Sequence, residues 1–169
     1  MKKIFFYILM FAGLTAYAQQ KQGRVAYHEI SNKEVVQSIY PNAEKVEKEN
    51  DFWFRIIGNS GKTIGYAMSS APYCKDIIGY NNTTPVLIIT DTKMIIRKIA
   101  LLSHWETLSY ITKLEKKGFF DLWNNKTIKE AQKVEIDGYT GATLTAKAVE
   151  KNVRFLLENG IRVMPKKKK

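Results

Sequence analysis

Between Asp137 and Thr145 the chain reads DGYTGATLT, which sets an acid, a small flexible turn and the hydroxyls of Thr140, Thr143 and Thr145 directly ahead of an amphipathic helix. The helix is legible from Ala146, Val149, Val153, Leu156 and Leu157, which share one face at three- and four-residue spacing, while Lys147, Glu150, Lys151, Arg154 and Glu158 fall elsewhere. Gly160 is expected to close it. The first-turn N–H groups of a helix have no intrahelical acceptors, so with the helix dipole they favour an anion beside Thr143 and Thr145. Gly141 and Ala142 keep that approach open. The chemistry this suggests is phosphate binding, although a Thr or Asp before a periodic apolar segment also serves as an ordinary helix cap. Thr143 is an unactivated hydroxyl, and no His or Lys within the segment can act as its base.

A second constellation, His104-Trp105-Glu106-Thr107, lies some thirty residues upstream. Read alone, Trp105 at a strand end is more readily core than a stacking platform. His104 is better read as a satisfied structural histidine than as a proton donor. Lys126, Lys129 and Lys133 read as a solvated face. Cys74 is the only cysteine, so no intramolecular disulfide is available, and a small apolar role in a loop beside Pro72 and Tyr73 is expected. His28 and His104, far apart in sequence, give no zinc-type spacing.

DGYTGAT resembles the flavinylation motif of the FMN-binding domain family, which includes the C subunit of the sodium-translocating NADH:quinone reductase and the G subunit of the Rnf electron-transport complex. His104 to Thr107 resembles the H-x-E-T-P-G-L-G segment of the same family. The resemblance runs from about Val36 to Leu157, with a Tyr-Pro-Asn-Ala turn at Tyr40 to Ala43 and Gly79-Tyr80-Asn81-Asn82 where the family often has Gly-Tyr-Gly-Gly. Two departures stand out. Leu108-Ser109-Tyr110 replaces Pro-Gly-Leu after Thr107, and Asn81 and Asn82 replace glycines, a milder change because Asn tolerates positive φ.

The resemblance implies FMN joined to Thr143 through a phosphoester, with Asp137, Thr140, Gly141 and Ala142 supplying the motif. Leu144 and Thr145 complete the cofactor-binding segment, and Thr140 and Thr145 are expected to solvate the phosphate. Glu106 and Thr107 are expected to hydrogen-bond the flavin ring, and Leu108 to pack on it. It further implies a separate exported flavin transferase that takes FMN from FAD with Mg2+ in its own site. The product is an electron carrier between a redox donor and an acceptor, with no substrate turnover of its own and no metal.

Lys2 and Lys3, the apolar run Ile4 to Leu14 and Ala16-Tyr17-Ala18 read as a signal peptide over residues 1–18, which predicts an exported, periplasmic or extracytoplasmic protein. The run is shorter than the ~20 residues of a membrane span. The remainder of the chain is about the size of one domain, taken as 19–164, ahead of a basic tail at 165–169. The chain carries 27 basic and 16 acidic residues, or +11, and removing Lys2 and Lys3 leaves +9. Such a balance fits membrane-surface or acidic-partner contact. It keeps open a different class, a cofactor-free exported binding module for an anionic envelope component or an acidic protein. Nucleic-acid binding is the poorer reading, because export removes the usual partner and the aromatics read as core.

Ser31-Asn32-Lys33-Glu34 matches a capping box and predicts a helix that Pro41 must end. Phe52–Ile57 with Thr63–Met68, and Pro85–Thr90 with Met94–Leu102, read as hairpins, the second delivering His104 and Glu106 at its end. Thr107 opens a helix with Leu108, Ile111 and Leu114 on one side and Gly118 as its cap. Residues 119–133 read as an anchored loop or short helix, and Lys133 to Ile136 as a short strand feeding the motif. The fold class is α+β: a single domain with an antiparallel-rich sheet from hairpins and helices packed on it.

Overall fold

The computed structural model describes residues 25–136 and 141–166. The signal segment, Asp137 and Thr140, and the last three residues of the lysine tail lie outside the described residues.

The fold is α+β, as expected, with five strands in a continuous antiparallel meander ordered β1-β2-β3-β4-β5. They are β1 (Ala43–Lys48), β2 (Phe54–Gly58), β3 (Thr63–Ser69), β4 (Val86–Asp91) and β5 (Ile96–Leu101). Helix α1 (Asn32–Ile39) precedes the sheet, and α2 (Leu108–Lys116), α3 (Ile128–Ala131) and α4 (Thr143–Gly160) come after it. Alternation along β4 divides the core between two layers. Val86 and Ile88 join Val149, Val153 and Leu156 of α4, whereas Leu87 and Ile89 join Val35 and Val36 of α1. This explains why β4 reads as an unbroken apolar run: both its faces are covered.

Strand β1 has no counterpart in the sequence reading. AEKVEK lacks an apolar alternation because β1 is an edge strand with only Ala43 buried. Its charges pair across the surface, Lys45 with Glu47 at 2.7 Å and Arg55 of β2 with Glu47 at 3.0 Å. Such exposed pairs add little stability, and their charge discourages edge-to-edge association.

Three further expectations need correction. Lys133 to Ile136 forms no strand; Val134 and Ile136 instead pack as half-buried loop residues against the larger core. Gly160 does not close α4. Its φ of −62° is helical, and the chain continues into a 3-10 turn at Ile161–Val163. A glycine is needed there for space, since a Cβ would run into the Met68 sulfur, and the Gly160 carbonyl accepts the Trp53 indole N–H at 2.8 Å. Leu108 leaves the buried stripe of α2: Ile111 and Leu114 are buried, but Leu108 is 55% exposed. The end of α2 is as predicted, with Gly118 in the left-handed region at φ 65°.

Candidate functional site

The meander and the three helices after it bring the two sequence constellations together. Glu106, fully buried, accepts a hydrogen bond from the Thr145 hydroxyl through Oε2 and one from the Asn81 backbone N–H through Oε1 at 3.1 Å. One carboxylate thus ties the loop at 79–82 and the segment after β5 to the first turn of α4. Gly79 is part of the fit, because a Cβ there would collide with the Glu106 carboxylate and the Thr84 methyl. Asn81 strengthens the join by donating from Nδ2 to the Trp105 carbonyl at 3.0 Å and to Thr107 Oγ1 at 3.3 Å. Neither Asn81 nor Asn82 takes positive φ. The asparagine at 81 is therefore there for its side-chain amide and needs no glycine-like backbone.

This geometry differs from two sequence expectations. Thr145 is completely buried and its hydroxyl points at Glu106, so it is not at the surface to solvate a phosphate. Glu106 likewise lies beneath the surface with both oxygens engaged, which makes it a support for the site. Thr107 stands at the N-cap of α2 without a side-chain capping bond.

His104 is buried, and its Nδ1 accepts the backbone N–H of Glu106 at 3.0 Å, which requires the neutral ring with its proton on Nε2. Burial, and then the neighbouring His28, lower its pKa to about 4. His28 belongs to a strap before α1 that pairs with the segment after β5. His28 and His104 exchange backbone hydrogen bonds of 2.8 and 3.0 Å, and the Ile30 N–H donates to Ser103 Oγ at 2.8 Å. The strap lays Tyr27 against Trp105 with ring centroids 5.0 Å apart.

Around the buried carboxylate the surface is apolar. Ile78, Tyr80, Trp105, Leu108 and Leu144 are all exposed, Leu144 by 56%. Isolated exposed apolar residues are ordinary; these five lie in the three segments that Glu106 joins or next to them in sequence. Thr143 is exposed beside Leu144, and Ala142 is the N-cap of α4 with no side-chain capping bond. The first rung of the helix is Ala146 N–H to the Ala142 carbonyl at 3.0 Å, so the N–H groups of Thr143, Leu144 and Thr145 precede the ladder. Gly141 holds φ +87°, a backbone conformation that glycine adopts without strain.

Sequence reasoning missed Lys113. A Cβ built on Gly141 would lie 3.4 Å from its Nζ, and the same ammonium sits 5.8 Å from the Tyr110 ring centroid. Tyr80 meets Tyr110 edge-to-face at 5.0 Å. No sequence pattern links Lys113 to the motif; only the packing of α2 beside α4 does.

Taken together these features define an α+β domain whose polar chemistry is gathered at the start of one long helix beneath an apolar rim. Residues 79–158 match the model of the FMN-binding domain family. The match spans the loop at 79–82, Glu106, Lys113 and the whole motif, while the strap with Tyr27 and His28 lies outside it. None of the curated proteins matches the chain. That match supports a flavin-binding role in electron transfer with FMN as the cofactor. The residues fit such a group: the Lys113 ammonium lies beside the Gly141 turn at the start of α4, and Leu144 is exposed next to Thr143. Among the described residues no helix is long and apolar enough to cross a membrane, and no cluster of His, Cys, Asp or Glu could hold a metal.

Proposed function

We propose that the chain is an exported electron carrier whose FMN is esterified to Thr143 by a flavin transferase. The observation that carries this reading is the exposed Thr143 at the start of α4, ahead of the helical ladder and two residues after the positive-φ turn at Gly141. In maturation the Thr143 oxygen bonds to the flavin-side phosphorus of FAD, the pyrophosphate P–O bond breaks, AMP departs with the electron pair, and the hydroxyl proton passes to the transferase. Asp137 and Thr140 complete the motif that enzyme reads.

Bound FMN supplies reversible uptake and release of electrons. The protein's share is position. Glu106 locks the start of α4 against the loop at 79–82, Leu108 and Leu144 offer apolar contact to a ring, and Thr107 presents a hydroxyl beside them. A covalent tether keeps the local cofactor concentration on the order of millimolar or more even where ring contacts are weak. The ring edge can then stay open to a donor and an acceptor protein. Outside the cytoplasm, where a released FMN would diffuse away, this matters most.

The test is co-expression with a flavin transferase and then a denaturing gel. A flavin-fluorescent band at the mass of the chain supports the carrier. A dark band, with strongly salt-dependent binding to anionic polymers, supports a cofactor-free module instead.

A further inference from the structure

We propose that Lys113 is the phosphate-side positioning residue of the site, holding the anionic ester at the Gly141 turn; the inference rests on the FMN reading of that site. Lys113 and Tyr110 are three residues apart on α2 and so are neighbours on its surface, beside the stripe that Ile111 and Leu114 bury. That surface looks onto the start of α4. Lys113 is exposed, and its ammonium lies 3.4 Å from where a Cβ on Gly141 would stand, two residues ahead of Thr143. The same ammonium lies 5.8 Å from the centroid of the Tyr110 ring, which Tyr80 in turn contacts. Among the described residues no carboxylate lies within ion-pair distance of Lys113. A cation beside a helix start, with an aromatic ring next to it and no acidic partner among the described residues, is arranged for an anion supplied from outside.

The φ of +87° at position 141 disfavours any side chain there. A phosphate bonded to both a flavin chain and a threonine keeps one negative charge, which one lysine matches. Lys113 also adds the cation that the motif itself lacks, so it should help the transferase seat the flavin-side phosphate before the bond forms.

The experiment compares unloaded wild type, Lys113→Gln and Lys113→Arg, each incubated with purified flavin transferase, FAD and Mg2+. Lys113 is exposed, and the three proteins should melt alike before loading. Lys113→Gln should gain mass about tenfold more slowly, the size of one lost charge-assisted contact, and Lys113→Arg should recover most of the rate. A second readout tracks the loaded proteins by phosphorus NMR as pH is raised through the lysine range. The ester resonance should move with ammonium deprotonation in wild type and stay still in Lys113→Gln. Equal loading rates with the same phosphorus titration in both proteins would overturn the role of Lys113 while leaving the ester intact. A wild-type chain that gains no mass overturns the ester reading and this inference with it.

Discussion

Helices α1 and α4 begin in opposite ways. At α1 the Ser31 hydroxyl accepts the Glu34 N–H at 3.1 Å and the Glu34 carboxylate accepts the Ser31 N–H at 2.9 Å, so the helix start is closed by its own side chains. Thr127 and Glu130 do the same for α3. The much longer α4 starts from Ala142, which has nothing to cap with, and lies beside a lysine. A self-capped end has its first N–H groups satisfied from within the chain. An end without a capping side chain is tolerable only where the rest of the helix is firmly held. The buried face from Val149 to Leu157 and the Trp53 bond to Gly160 supply that hold.

The strongest way to break this contrast is to remove the support beneath α4. Glu106→Ala leaves the buried Thr145 hydroxyl and the Asn81 N–H without their acceptor and should cost about 2–4 kcal/mol of unfolding free energy in urea. A loss under about 0.5 kcal/mol would mean that the carboxylate is not a structural tie.

Acid should loosen the same region by a somewhat smaller amount. An unfolded His104 titrates near 6.5, whereas in the folded chain it does so at about 4. Between those values the unfolded chain takes up the proton and the folded chain does not. Stability is therefore full above pH 6.5, falls as the pH drops toward 4, and levels off below that. The loss should be on the order of 2–3 kcal/mol and should shrink in His104→Gln, measured by melting at a series of pH values.

The smallest effect sharpens the contrast at the helix ends. Ser31→Ala should cost about 1 kcal/mol with no change in FMN loading.

Legibility in the sequence depends on how local the determining interaction is. The capping box of α1, the apolar hairpins and the periodicity of α4 each rest on residues a few positions apart, and each is readable. Strand β1 is not, because an edge strand with charges on both sides carries no period-two signal. Lys133 to Ile136 carries the opposite error, an apolar pair that packs without pairing to any strand. The motif and the segment containing Glu106 can be named from sequence, but their arrangement cannot. The burial of Thr145 under Glu106, the amide role of Asn81 and the approach of Lys113 to Gly141 all depend on contacts between residues far apart in the chain.

The central claim concerns the oxygen of Thr143, and intact-mass measurement tests it most directly. Wild type, Thr143→Ser and Thr143→Ala are produced beside a flavin transferase and weighed under denaturing conditions. The account predicts one added FMN, less water, on wild type and none on Thr143→Ala, with Thr143→Ser retaining a nucleophilic hydroxyl and part of the label. A wild-type chain at its unmodified mass, or an alanine variant that still carries the full increment, would contradict it.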